Sequence, residues 1–152
     1  MSIAIGCDGL DLSILNPTQF RLSFDKIPTV EFFCQAISLP EINLAPVTQL
    51  TPLLDVFHPG EKITHSPLFA TILMDKGMLT YKEIYNWMKL LAVKDGATES
   101  FSDCRLIIGA NTFVFHDVWP ISLAAVNMNI ATPNIPTVTF NVSFEYDYYT
   151  ME

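Results

Sequence analysis

The sequence predicts a mainly β fold: a β-sandwich or partly closed barrel with one flanking α-helix and a long projecting hairpin. Three observations support this. Several segments alternate apolar and polar residues, one segment has helical periodicity, and prolines concentrate between residues 40 and 67. The length of 152 residues suits one domain. We place this domain at residues 16–152, after an N-terminal arm at 1–15 that has no clear period.

The first strands are predicted from alternation. Phe20, Leu22 and Phe24 are separated by polar residues, which is the period of a half-buried strand. Residues 25–28 have the composition of a turn, and alternation resumes over 30–36. The two segments are therefore expected to pair as a β-hairpin.

Five prolines occur between residues 40 and 67, and proline cannot donate the N–H that a sheet interior needs. Residues 47–50 and 53–57 nevertheless have strand propensity. We predict a long hairpin that projects from the core and bends near residues 58–61. The continuous apolar run that follows, residues 68–74, is expected to form a strand buried on both faces.

One helix is predicted to start at Thr80, which forms a capping box with Glu83, and to end before Gly96. Its apolar residues recur at helical spacing and are expected to pack against the core. A partner-binding groove is the alternative interpretation. These stripe residues are Ile84, Trp87, Met88 and Leu91.

The last third of the chain is again β-like. Residues 104–108 and 112–115 are predicted to pair across the turn at 109–111, and a short apolar segment occupies 121–128. The clearest strand covers 138–148 and ends in aromatic residues. In proteins that bind single-stranded nucleic acids, such aromatic residues stack on bases. Here no basic residues lie between them, so a strand of the protein core is the better interpretation.

The composition excludes two classes of protein. Half of the residues are hydrophobic and 12% are aromatic, which excludes intrinsic disorder. The net charge of −8 and the lack of a Lys/Arg cluster argue against nucleic-acid binding. Only 16% of residues are charged, and the mean hydropathy is +0.33. An apolar surface of this kind is often buried against further copies of the same chain.

No sequence pattern indicates catalysis or a bound metal or cofactor. Three cysteines at wide spacing suggest reduced, intracellular thiols, and three histidines lack ligand spacing. An enzyme is the third hypothesis, supported by Cys104 and the neighbours His116 and Asp117 alone. No apolar run reaches the roughly 20 residues of a membrane span, and no secretory signal is seen, so a soluble protein is expected.

Several segments follow one another in an order typical of a known family. They are Asn-Pro before the strand at 20–24, the pattern F-x-C-x-A-x-x-L-P at 32–40, the strand and acidic turn at 69–75 followed by a helix with Tyr81, Trp87 and Met88, the Trp-Pro element at 119–123, and the aromatic-acidic strand at 138–148. Together they resemble, over residues 16–150, the tube proteins of contractile bacteriophage tails and related injection machines.

The resemblance implies a structural virion protein rather than an enzyme. It implies a two-sheet sandwich that assembles as a hexameric ring, in which each subunit's long hairpin helps to line an inner β-barrel. Rings stack into the tail tube or form the baseplate ring that initiates it, and DNA passes through without specific binding. The implied partners are further copies and neighbouring tube, baseplate or sheath proteins. The implied location is the virion tail, assembled in the host cytoplasm, without a membrane or a cofactor.

On the resemblance, the excursion at 40–73 holds the ring and inner-barrel interface, namely Val47, Gln49, Leu53, Asp55, Phe57, His58, Glu61 and Thr71. The prolines there are at odds with a fully regular barrel. The segment from the acidic turn to the last strand also resembles baseplate tube initiators, so both roles remain open. The arm at 1–12 is expected to contact an adjacent ring. A different class, a non-viral small-ligand or carbohydrate-binding β-sandwich, would be monomeric and confine its aromatics to one cleft.

Overall fold

Nine strands and two helices make up the described part of this computed structural model, which is residues 14–28, 30–93, 100–131 and 137–152 without the side chain of Phe32. The elements are β1 (Phe20–Phe24), α1 (Val30–Phe33), β2 (Cys34–Ser38), β3 (Ile42–Gln49), β4 (Val56–His65), β5 (Leu68–Leu73), α2 (Leu79–Val93), β6 (Ser102–Ile108), β7 (Asn111–Leu123), β8 (Thr139–Glu145) and β9 (Tyr148–Met151). The fold is mainly β, as the sequence predicts.

Two antiparallel sheets share the long strand β7. In the first sheet, β7 lies between β6 and β9 and β6 continues to β1. In the second sheet, Trp119–Leu123 of β7 pairs with β8, followed by β5 and β2. Asp117 lies where β7 passes from one sheet to the other, and its φ of 54° is in the left-handed region. This local change of direction lets one strand serve both layers.

The core lies between the two sheets and beneath α2. The ring of Phe144 lies 4.7 Å from that of Phe24 and 6.4 Å from that of Trp87. The indole N–H of Trp87 donates to the carbonyl of Ser100 at 2.6 Å, so its one polar atom is satisfied inside the core. The largest fully buried side chains are Phe115, Phe140, Phe144, Leu22, Ile27, Leu68, Ile72, Ile84 and Leu106.

Helix α2 presents the predicted apolar stripe to this core. Ile84 and Trp87 are buried, and Met88 and Leu91 are partly buried against the core. The helix begins one residue before Thr80, so Thr80 lies in the first turn and not at the capping position. The N–H of Leu79 instead donates to the carboxylate of Asp75 at 2.8 Å. The predicted end at Gly96 lies outside the described residues.

The predicted pairing of the first two strands is wrong. Strand β1 pairs with β6, and β2 pairs with β5, while the short helix α1 separates β1 from β2. Ile27 and Val30 are buried beside this helix. Alternation indicates which face of a strand is buried, but it does not identify the partner strand.

Two further strand predictions need correction. Strand β5 is not buried on both faces, because its side chains alternate and Phe69 is 50% exposed. The last predicted strand is interrupted at Tyr146 and Asp147 and divides into β8 and β9. The division follows the bend in β7, since β8 pairs with the second-sheet part of β7 and β9 with the first-sheet part.

Candidate assembly interface

Strands β3 and β4 form a hairpin that stands apart from both sheets. They pair with each other and with no other described strand, and nearly every side chain on them is exposed. The long projecting hairpin that the sequence predicts is therefore present. An isolated two-stranded hairpin is marginally stable in water at best, so this segment needs a covering surface from elsewhere.

The bend of the hairpin lies at residues 50–55, and the prediction of a bend at 58–61 is wrong. Pro59 and Gly60 lie inside β4, where Pro59 is opposite Pro46. A Pro-Gly pair normally marks a turn, but a two-stranded sheet has two outer edges and tolerates proline there. A Cβ at Gly60 would lie 1.9 Å from the carbonyl oxygen of Ala45, so this bulge requires glycine.

The two faces of the hairpin differ in chemistry. Cross-strand partners share a face, and successive residues alternate between faces. One face, which we call the apolar face, carries Ile42, Leu44, Phe57 and Ile63 together with Pro46, Thr48 and Pro59. The opposite face carries Asn43, Val47, Gln49, Val56, His58 and Thr64. On that face the ring of His58 lies 2.9 Å from the side-chain oxygen of Gln49.

The base of the hairpin is fixed to the rest of the fold by polar contacts. Glu41 and Ser66 exchange two hydrogen bonds, and the hydroxyl of Tyr146 donates to the carbonyl of Ser66 at 3.0 Å. His65 stacks on Tyr146 at 4.3 Å, and its Nε2 donates to the carbonyl of Asp147 at 3.1 Å. Among the described residues, the hairpin is therefore anchored at its base, and its two strands pair only with each other.

The second sheet has two unpaired edges among the described strands. One is β2, and the other is Trp119–Leu123 of β7, which has β8 on one side and no strand on the other. Exposed edges are a liability for a monomer because their N–H and C=O groups seek partners. Pro120 lies in the β7 edge and reduces the number of free donors there.

The outer face of the second sheet carries small, uncharged side chains around Phe69. The hydroxyl of Thr71 donates to the side-chain oxygen of Asn141 at 2.8 Å across β5 and β8. Neighbouring positions in register form an uncharged patch on this side, made of Ala36, Ser38, Phe69, Thr71, Asn141 and Ser143. Glu145 follows on the same side at the end of β8 and marks the limit of the patch. We call this uncharged patch the neutral face.

An apolar groove runs between the end of α2 and the unpaired edge of β7. Its volume is about 450 Å³, and its lining consists of Met88, Leu91, Ala92, Phe101, Trp119, Pro120 and Ile121. The partner-binding alternative for the helix stripe therefore has a structural basis, since Met88 and Leu91 line this groove as well as contacting the core.

The residues that keep an enzyme hypothesis open do not form a catalytic arrangement. Cys104 is buried, and its burial raises the pKa of its thiol well above the ordinary value, so it is a poor nucleophile. His116 stacks on Tyr148 at 4.6 Å, and its Nδ1 lies 3.9 Å from Asp103. In the described ranges, no group of three His, Cys, Asp or Glu residues is placed to hold a metal ion.

Burial also raises the pKa of two other groups. The pKa of the Cys34 thiol rises to about 11, chiefly because the thiol is desolvated. The pKa of Tyr146 rises to about 12, mainly through burial and further through Tyr149 and Glu145.

Within the described ranges, neither helix is long and apolar enough to cross a membrane.

The structure places seven of the eight predicted interface residues on the hairpin. Val47, Gln49 and His58 share one face, and Phe57 lies on the apolar face. The remaining hairpin residues are Leu53 and Asp55 at the bend and Glu61 beside the bulge, while Thr71 lies on the neutral face. The predicted N-terminal arm falls mostly on residues 1–13, outside the described residues.

Sequence reasoning missed the two unpaired sheet edges and the contribution of the β7 edge to the groove. The edges depend on which strands are neighbours, which alternation does not reveal. Ile42, Leu44 and Ile63 of the apolar face were missed for a different reason. Ile42 and Leu44 have the two-residue spacing of a strand, but the prolines on either side hid this pattern.

No family model and no curated protein matches the sequence. Solved structures do match. A chain of the sheath/tube terminator of PVC, an extracellular contractile injection system, in the extended state has a TM-score of 0.70 at 14% identity, covering 93% of this chain and 99% of that one. A chain of the PVC sheath-tube complex has a TM-score of 0.67 at 12% identity, covering 99% of both chains.

A third match comes from the six-fold symmetrised baseplate of the anti-feeding prophage. It has a TM-score of 0.67 at 11% identity and covers 94% of this chain and 97% of that one. At such identities the likeness concerns the fold. The resemblance that the sequence predicts is confirmed at this level: the chain has a fold found in the tube, terminator and baseplate assemblies of contractile injection systems.

Proposed function

We propose that this chain is a structural subunit of a contractile tail, forming hexameric rings that build or initiate the tail tube through which DNA passes. The observation that carries the proposal is a sheet with two unpaired edges beside an uncovered hairpin, in a fold shared with tube and baseplate structures. Six copies are proposed because the similar baseplate chain comes from a six-fold assembly.

Ring closure uses the two edges of the second sheet. The sheet contributes four antiparallel strands in the order β7, β8, β5, β2, so its two edge strands run in opposite directions. Edge β2 of one copy therefore pairs antiparallel with Trp119–Leu123 of the next, and the alternation continues around the ring. Closure removes both exposed edges, which is the general advantage of a barrel.

The hairpin of each copy packs against a neighbouring copy, and this contact buries side chains of both copies. Its apolar face would otherwise leave Phe57 and Ile63 about two-thirds in water, at 66% and 65% exposure. Burying side chains of this size contributes roughly 1.5–3 kcal/mol each. The predicted interface set, from Val47 to Glu61, is retained here as a contact between copies, whereas the inner barrel is proposed to form from the second sheet and not from the hairpin.

The neutral face lines the channel. Its residues, Thr71 among them, carry no charge, so they neither attract nor repel phosphate groups strongly. The chain as a whole has a net charge of −8, which further disfavours retention of DNA. A passing DNA molecule would therefore meet a wall that does not hold it.

Electron microscopy of negatively stained protein, combined with light scattering, tests the proposal. We expect hollow rings whose mass is six times the 17.1 kDa of the chain. Long tubes would favour the repeating tube subunit, and single rings the baseplate initiator. A protein that stays monomeric at high concentration, alone and with tube, sheath or baseplate proteins of the same particle, would contradict it.

A pair of lysine variants tests the channel wall. Thr71→Lys places a positive charge on the neutral face, whereas Thr150→Lys places one at an exposed position of β9 in the first sheet. We expect assembled T71K rings to retain short DNA at low salt and T150K rings to release it, because six cations would surround the channel in the first case alone. Equal retention by the two variants would contradict this placement.

A second candidate is a small-ligand-binding module, which the groove of about 450 Å³ favours, since ligand sites have volumes of this order. Such a module would remain a 17.1 kDa monomer. A phage-derived injection machine is a variant of the first proposal, with the same ring and a different cargo.

A further inference from the structure

Besides the apolar face of the hairpin, two apolar surfaces of the described residues are open to solvent. One is the concave groove between α2 and the unpaired edge of β7. The other is the convex tip of the hairpin, residues 50–54, whose three leucines are among the most exposed in the chain. Leu50 is 81% exposed, Leu53 98% and Leu54 73%. Apolar side chains held this far into water usually mark a contact surface.

We infer that the hairpin tip of one copy inserts into the groove of another copy. The inference rests on the proposed self-assembly and adds to it the identity of the two contacting surfaces. The groove lining carries no charged residue, and the charge nearest to the tip leucines in the chain is Asp55, at the end of the bend. A contact made by the three leucines that leaves Asp55 at its rim desolvates no ion. Since one chain carries both the knob and the groove, the contact is head-to-tail and repeats from copy to copy.

The location of the groove supports a second copy as its occupant. Three lining residues, Trp119, Pro120 and Ile121, belong to the edge of β7 that pairs with the next subunit in the proposed ring. A neighbouring copy therefore already lies beside the groove. The tip belongs to a hairpin that must also find its cover on a neighbour.

The tip is organised before it binds. The Thr51 hydroxyl accepts a hydrogen bond from the N–H of Leu54 at 3.2 Å, and it also donates to the carbonyl of Leu54. Pro52 fixes the backbone φ between them. Leu53 and Leu54 are therefore presented by a defined turn, and less conformational entropy is lost when they are buried.

The chemistry of the groove argues against a polar small molecule. A ligand site generally adds several placed hydrogen-bonding groups to its apolar lining. Here one lining side chain, Trp119, has a hydrogen-bonding atom, and the rest are hydrocarbon or thioether. A sugar would find few side-chain partners for its hydroxyl groups along this wall, whereas leucine side chains need none.

Three variants test the contact. L53D/L54D removes the apolar tip, A92E places a charge in the groove from the α2 side, away from the ring-closing edge of β7, and I130D is the control at a fully exposed position outside both surfaces. We expect the first two to weaken the association constant of the full chain by about tenfold or more, and the control to leave it unchanged. All three are expected to melt as the wild type does in the monomeric state.

Combining the variants sharpens the test. The chain that carries both tip and groove substitutions should associate no more weakly than the more affected single variant, because both changes remove the same contact. An equimolar mixture of L53D/L54D with A92E should assemble better than either alone, since one intact tip then meets one intact groove. A photo-crosslinker at position 53 should label residues 88–92, 101 or 119–121 of another copy.

The outcomes separate this inference from the proposed function. If the wild type assembles and L53D/L54D assembles equally well, the tip contact is wrong and the ring proposal stands. Crosslinks from position 53 to residues 1–13 or to the neutral face would also overturn the tip contact. If the wild type never self-associates at any concentration, both are overturned.

Discussion

The sandwich and the hairpin of this chain differ in how far they bury their large apolar side chains. In the sandwich, the large apolar side chains face inward, and Phe144 is fully buried against other aromatics. In the hairpin, Phe57 has the same side chain and is 66% exposed. The sandwich is thus complete within one copy, whereas the hairpin has the composition of a buried element without a buried environment. This difference is what the proposed assembly explains: in it, part of the hydrophobic interior would form between copies.

Truncating the core should produce the largest effect. We expect Phe144→Ala to lower the free energy of unfolding by about 3–5 kcal/mol, because it leaves a cavity beside Phe24 and Trp87. Phe57→Ala in the monomer is the matched control and should change it by less than about 0.5 kcal/mol. Urea denaturation followed by tryptophan fluorescence measures the free energy of unfolding of both variants. Equal losses would contradict the claim that the sandwich core is buried within one copy and the hairpin is not.

Alkaline pH should weaken the sandwich through its buried thiol. The pKa of Cys34 is about 11 in the folded chain, against an ordinary value of 9.0. The folded state therefore holds its proton longer, so this contribution is complete below pH 9 and is lost as the pH rises through 11. We expect a loss on the order of 2 kcal/mol at pH 11. Cys34→Ala should reduce this pH dependence, and an unchanged slope would contradict the assignment.

Disturbing the bulge should affect the hairpin alone. Gly60→Ala drives a Cβ against the backbone of Ala45, so β3 and β4 must separate locally. We expect assembly to be lost while the free energy of unfolding of the monomer changes by less than about 1 kcal/mol. Gly77→Ala is the control, because its Cβ would meet only the Asp75 side chain at an ordinary distance. Loss of the monomer's fold in G60A would show that the hairpin supports the sandwich.

The smallest effect is expected at the surface ion pair of Arg21 and Glu31. The Arg21 side chain is 64% exposed, and pairs of this kind contribute about 0–1 kcal/mol. Glu31→Gln should therefore lower the melting temperature only slightly, and the decrease should become smaller at high salt. A loss comparable to that of F144A would mean that the edge of the first sheet is held by charge and not by its core.

Much of the fold was predictable because it is local. The pair β6 and β7 follows from two apolar segments joined by turn residues, and the projecting hairpin follows from strand propensity between prolines. The pairing of β1 with β6 was not predictable, because the two strands are about 80 residues apart in the chain and no local pattern identifies partners at that distance. The bend was misplaced because Pro59-Gly60 has the composition of a turn and serves instead as a bulge.

The element that carries the predicted interface residues was predictable, but the arrangement of those residues on it was not. The hairpin residues from Val47 to Glu61 were selected on the family resemblance, and the structure places them on an exposed element. The division into an apolar face and an opposite face depends on the register of β3 against β4. That register is set by the bulge at Gly60, which no sequence pattern located.

Hydrogen exchange, compared between the monomer and the assembled protein, tests the central claim most directly. The account predicts fast exchange over Ile42–Gln49 and Val56–His65 in the monomer and strong protection of both strands on assembly. Protection should also rise at β2 and at Trp119–Leu123, while the core strand β8 stays equally protected in both states. Unchanged exchange in the hairpin of an assembled particle would contradict the claim that its cover comes from another copy.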